Sequence, residues 1–340
     1  EISACLVGSE MCIRDRFIPI YNLHFIDTKS VDIDGAKIYT VNDFHSIFNK
    51  KDFLHPDELY EDTQQLRLGQ IITREWASCV YTKELNLVNS CAPEDQKHND
   101  EIIENAVHEF ELLLIGMRLL KEGNIQINNA YILSKDLSAT YNTRISTFIE
   151  CLKNYSFSRS RICSLDSYNL NETDIPCILE KKEKLKKVIE KLETPINFFM
   201  SYYQTTDLAE KIIKLCTVWE ASLLNDRRTE LTYCLKIRGS YFLRKNLKAI
   251  SGTAYDIRSS LLHSGAPPQD IIKKLKNIVC LPDHATQDDV SYMFYFVKNN
   301  LEPITRDIIN KFVDLHIETG KNLEQLAQSI DDDFFNSFPI

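Results

Sequence analysis

From residue 197 onward, apolar positions recur at steps of three and four, the spacing that puts side chains on one face of an α-helix. Leu208, Ile212, Leu215, Trp219 and Leu223 form one such stripe, with Asp207 in place as an N-cap. Residues 230–245 carry Leu231, Leu235 and Phe242 in helical register. A third helix carries Ile250, Ala254, Ile257 and Leu261 and stops at Ser264-Gly265, with Pro267-Pro268 behind it. Further helices are expected at 287–298 and 303–317. The acidic run Asp331-Asp332-Asp333 reads as a solvated terminus.

The first half has a different pattern. Short apolar runs at 17–20 and 23–26, and alternation through Val31, Ile33 and 38–41, predict strands, with Asp34-Gly35 as a hairpin turn. Segments 78–82, 125–127 and 130–133 read as further strands, and 89–99 as a loop. Between them Ile102, Ala106, Phe110, Leu113, Met117 and Leu120 make a long helical face, with Gly123 as its expected stop. The polar stretch 136–174 carries no pattern that assigns it. Residues 181–193 interleave charges of both signs and predict a helix with a solvated, connecting role that closes before Pro195. The fold class expected is therefore α+β: a mixed α/β sensor or regulatory region at 17–195, an all-α bundle at 196–320 and a tail at 321–340. The first sixteen residues resemble a translated adapter sequence and are set aside as non-native, with the chain proper beginning near Phe17 or its true N-terminus missing.

Composition narrows the class. The 340 residues are 44% hydrophobic and 26% charged, enough apolar material for a sizeable core. The net charge of -9 disfavours a chain coated in nucleic acid but leaves room for a local basic cleft. Ten cysteines are scattered without a Cys-x-x-Cys pair or zinc-type spacing, which reads as reduced thiols in a cytoplasmic protein with no metal. No apolar run approaches the ~20 residues a membrane span needs. Within the acidic whole, 226–248 gathers seven basic residues against Asp226 and Glu230. Arg227, Arg228, Lys236, Arg244 and Lys245 of that stretch are candidates for tracking an RNA backbone. A solvated helix face is the plainer reading of the same residues.

Arg258 and His263 form the chain's single Arg-x4-His pair, at the end of the third predicted helix. Histidine titrates near neutrality and serves as general acid or base. Arginine stays charged and presents a planar fork to phosphate oxygens. An acid–base group and a phosphate-binding fork are together the side chains that phosphodiester chemistry uses.

Three segments in order carry a family resemblance. The stretches LCTVWEASLL (215–224), ELTYCLKIR (230–238) and YDIRSSLLHSG (255–265) resemble the first, second and third helix signatures of the Apea-like HEPN family, across about 198–318. The resemblance implies a helical bundle that dimerises and brings two Arg-x4-His motifs to one cleft. It implies metal-independent RNA cleavage without a cofactor, in anti-phage defence or as a toxin, with a phage-derived molecule or an antitoxin as further partner. Glu220 and Arg238 match family positions, where a structural ion pair or cap is as natural as a catalytic part. Tyr255 and Asp256 lie beside the motif as supporting candidates. Ser259 departs from the Asn, Asp or His that often follows the arginine, though a hydroxyl still hydrogen-bonds. The alternative reading is a non-catalytic module that binds RNA, a nucleotide or a partner protein.

Helical geometry constrains the motif. Five residues turn an ideal helix through about 140°, so Arg258 and His263 on one rigid helix do not point together. Either the helix loosens toward Gly265, or the working pair forms across a dimer.

Overall fold

The computed structural model describes residues 11–26, 28–40, 79–88, 93–127, 130–134, 140–143, 167–224 and 231–336. The chain divides into two compact units, Glu1–Glu180 and Lys181–Ile340. The first carries the strands and the second is helical, an α+β chain as expected.

The first unit is organised around β1 (Met11–Tyr21). On one side it pairs antiparallel with β5 (Cys79–Val88), from Met11↔Val88 to Ile20↔Cys79. On the other it pairs with β7 (Ala130–Ser134) and with the short β6 (Gln126–Ile127). Residues 11–16, set aside in the sequence reading, thus carry much of the central ladder. β3 (Ser30–Ile33) and β4 (Ala36–Thr40) extend the sheet beyond β5, and β8 (Thr140–Thr143) extends it beyond β7. The β3–β4 turn is Asp34-Gly35, with φ of 53° and 70°. Two positive φ values make a turn whose twist suits a hairpin, the reason for Asp-Gly there. A separate parallel pair joins β2 (Leu23–Phe25) to β9 (Tyr168–Leu170).

The predicted long helix is α1 (Pro93–Leu120), which starts at Pro93, inside the stretch expected as a loop, because proline fits a first turn; it packs on β5, with Phe110 against Tyr81 at 4.6 Å between ring centroids. Gly123 has a different role from the expected helix stop. Its φ is 133°, and a Cβ there would lie 2.7 Å from the Tyr168 Cα, so the residue lets two backbones approach closely.

The charged helix, α2 (Asp174–Val188), is amphipathic rather than a solvated connector. Leu185, Val188 and Leu192 are buried, and Lys181 and Lys184 reach Asn310 and Asp314. The compact helical unit begins at Lys181, within this helix. After one 3₁₀ turn at Ile189–Lys191 comes α3 (Glu193–Gln204). Pro195 opens this helix instead of closing the previous one, because first-turn N–H groups have no intrahelical acceptor to lose.

The next three helices lie where the periodicity puts them: α4 (Leu208–Leu223), α5 (Leu231–Leu243) and α6 (Lys248–Ser264). Asp207 caps α4 by accepting from the Glu210 N–H at 2.7 Å. Gly265 ends α6 in the left-handed region at φ 75°. Beyond it come α7 (Gln269–Lys276), α8 (Asp289–Phe296), a π-helical turn at Val297–Leu301, α9 (Glu302–Thr319) and α10 (Leu323–Asn336). The acidic tail is therefore a packed helix. Leu326, Ala327 and Ile330 are buried, and Asp331 receives Arg238. Among the described residues no helix is long and apolar enough to cross a membrane.

Candidate functional site

The three segments singled out by sequence fold as α4, α5 and α6, and α6 packs against both others. Core packing fixes their faces. Ile212, Leu215, Trp219 and Leu223 of α4 are buried, as are Ala254 and Ile257 of α6. Trp219 is anchored further by its indole N–H, which donates to the Thr305 hydroxyl of α9 at 2.6 Å.

Beside that stripe α4 and α6 share one ion pair. Arg258 Nη2 lies 2.8 Å from Glu220 Oε2, with about a fifth of each side chain exposed. The Arg258 guanidinium also sits 5.9 Å from the centroid of the Tyr255 ring, one turn back on α6. Arg258 Nε and Glu220 Oε1 are buried and make no hydrogen bond among the described residues. Burial pushes the Glu220 carboxyl upward, and Arg258 opposes that rise. One turn before Glu220, Cys216 turns its thiol toward the Ala254 carbonyl at 3.7 Å.

His263 lies on the exposed last turn of α6, beside Leu262, which is 54% exposed. The helix does not loosen before this point; it runs to Ser264 and ends on Gly265. Within one chain Arg258 therefore faces α4 while His263 faces solvent, so a single chain does not bring the pair together.

The supporting candidates separate by role. Asp256 pairs with Lys274 of α7 at 3.1 Å, which ties α6 to the next helix. Ser259 is partly exposed next to Arg258. Arg238 is 1% exposed and fully engaged. Its Nε and Nη2 donate to the two oxygens of Asp331 at 2.9 and 2.7 Å, and Nη1 donates to the Leu223 carbonyl at 2.6 Å. It locks α5 to α10 and caps the end of α4, a structural function.

The basic stretch is divided by the α5–α6 hairpin. Arg227 and Arg228 lie outside the described residues. The Lys236 side chain crosses Gly252, where a Cβ would stand 2.5 Å from its Cε. Arg244 and Lys245 sit at the turn before α6, and Lys245 pairs with Asp307 at 2.7 Å. At 1.5 Å per residue, α6 separates that turn from His263 by roughly 22 Å. Arg244 and Lys245 are therefore remote from the histidine of their own chain.

No protein-family model, curated protein or solved structure matches this chain. The chemistry available to the site follows from its own residues: an exposed imidazole at a helix end, and an arginine with one donor engaged and another unspent.

The sequence reading missed Asp331 and the buried network in which Tyr203 and Arg306 both bond Glu302. The Glu302–Arg306 half was legible as an i,i+4 pair. Asp331 had no local signal, since its partner is 93 positions away.

Burial pushes the Cys216 thiol up to about 12, so at about pH 8 only on the order of one molecule in ten thousand carries the reactive thiolate. Brief alkylation of the native protein followed by peptide mass spectrometry is expected to label the exposed Cys177 and Cys280 and spare Cys216. Equal labelling of all three would contradict the packing of α4 on α6.

Proposed function

We propose that the chain is a metal-independent RNA endonuclease of the Apea-like HEPN type, acting as a cytoplasmic homodimer in anti-phage defence. The observation that carries this reading is the Glu220–Arg258 pair, which joins the first and third family-like segments and leaves Arg258 an unspent donor, while His263 on the same helix faces solvent. A chain that holds its arginine against α4 and its histidine outward needs a second copy to place both on one phosphate, which supports the dimer.

In that cleft Arg258 holds the scissile phosphate and offsets charge that builds on its oxygens as the 2′-oxygen attacks. His263 takes the 2′-hydroxyl proton or delivers one to the leaving 5′-oxygen. The 2′-oxygen–phosphorus bond forms as the phosphorus–5′-oxygen bond breaks, leaving a 2′,3′-cyclic phosphate and a 5′-hydroxyl. Leu262, exposed beside His263, suits a face that a second copy covers. The sheet-bearing unit would sense the invader, bind a partner or restrain the nuclease.

End-group analysis of RNA incubated with the purified full chain in chelator tests the reading. The expected products carry cyclic phosphate and 5′-hydroxyl ends. RNA left intact by a dimeric protein would favour a binding module, and 3′-hydroxyl with 5′-phosphate ends would overturn the mechanism.

A further inference from the structure

Two arginines of the helical unit are held in opposite ways. Arg238 spends its guanidinium fully, with both carboxylate oxygens of Asp331 and a backbone carbonyl as acceptors, and is closed to solvent. Arg258 spends one nitrogen on one oxygen of Glu220. Its Nε, and the other oxygen of Glu220, are buried without a hydrogen bond among the described residues. An aligned fork-to-fork pair would use both nitrogens and both oxygens and gain the strength of two parallel charge-assisted bonds. The Glu220–Arg258 pair forgoes half of that, and about a fifth of each side chain is open to solvent.

We propose that Glu220 is the resting counter-ion of Arg258 and is displaced when an RNA phosphate takes the guanidinium, which makes Glu220 a positioning residue that sets the affinity of the site for RNA. A partly buried guanidinium is costly to leave without an anion, so the empty site needs a neutralising group. An aligned carboxylate would neutralise the charge but compete too well. A misaligned one neutralises it while leaving Nε for the incoming phosphate, whose oxygens can accept from Nε and Nη2 together. As one anion replaces the other, the Tyr255 ring remains against the guanidinium and keeps it in place. The carboxylate, like-charged to the phosphate, turns away, and its departure uncovers the buried Nε.

The inference rests on the reading of Arg258 as the phosphate holder, and one titration separates the two. The full chain is titrated with a 2′-O-methyl oligoribonucleotide, which lacks the nucleophile and stays uncut, and affinity is read by fluorescence anisotropy at fixed salt. Glu220→Gln is expected to bind about tenfold tighter than wild type, the scale of one charge-assisted hydrogen bond. In an Arg258→Ala background the same substitution is expected to change nothing, because its effect acts through that arginine. If Glu220→Gln binds no tighter while Arg258→Ala binds weakly, the displacement proposal is overturned and the role of Arg258 stands. If Arg258→Ala binds as tightly as wild type, the reading of Arg258 itself fails. Should Glu220→Gln not fold, the Arg258 Nε–H signal in ¹⁵N spectra of the wild type decides. At saturating oligonucleotide it is expected to move as Nε gains an acceptor, and an unmoved signal overturns the proposal.

Discussion

His263→Ala is expected to lower RNA cleavage by about 10²–10⁴-fold, the range that positioned acid–base catalysis contributes, while leaving the unfolding midpoint nearly unchanged. The second half of that expectation comes from the fold. His263 is exposed on the last turn of α6, and that turn is closed by Gly265 in the left-handed region, not by the imidazole. Exposed substitutions of this kind stay within about 0.5 kcal/mol, so lost activity cannot be ascribed to lost structure. Cleavage is measured with a fixed RNA in chelator, and stability by urea unfolding of the same samples. Cutting that survives at the wild-type rate would remove His263 from the mechanism. Arg258→Ala is a less clean companion, because it strips the partly buried Glu220 of its counter-ion. It is therefore best read beside Glu220→Gln/Arg258→Ala, in which no carboxylate is left unpaired.

The fold was legible wherever a single periodicity governed a stretch. The stripe from Ile212 to Leu223 is buried, the α4 cap is Asp207, and α6 ends at Gly265, because each of these is decided within a few residues. The Asp34-Gly35 hairpin was legible for the same reason: both residues tolerate the positive φ that the turn imposes. Distant partners were not legible. Residues 181–193 look solvated because their charges alternate, and only α9, more than a hundred positions on, supplies Asn310 and Asp314 for the lysines. Pro195 shows the ambiguity of proline, which both stops a helix and fits the first turn of the next.

The site divides along the same line. The motif pair and its helix were readable, but the ion pair that engages Arg258 crosses from α6 to α4 and joins residues far apart in sequence. The basic stretch 226–248 looked like one surface in sequence. The hairpin between α5 and α6 places Arg244 and Lys245 at the opposite end of α6 from His263 of the same chain. Composition could not distinguish Arg238 from Arg258 either. Both are arginines on helices of the same bundle, and only the count of engaged nitrogens separates a locked residue from an available one.

That separation predicts a large stability effect in the helical unit. Arg238→Ala is expected to destabilise it by about 3 kcal/mol, the low end for breaking a buried ion pair by removing one partner. The low end applies because Asp331 is about a fifth exposed and regains some hydration. The Leu223 carbonyl at the end of α4 loses its donor as well, and a buried acceptor left unsatisfied adds to the cost. Lysine is not expected to restore the loss, since one ammonium cannot reach both oxygens of Asp331 and the carbonyl in the geometry of a planar fork. Urea unfolding checks this as a lower midpoint at unchanged slope, which marks a stability change without a change in the surface exposed. A shift below about 1 kcal/mol would mean that α10 stays docked through Leu326, Ala327 and Ile330 alone, with the ion pair incidental. At temperatures where the variant remains folded, RNA cleavage is expected to persist. A loss there comparable to that of His263→Ala would move Arg238 from the scaffold into the catalytic site.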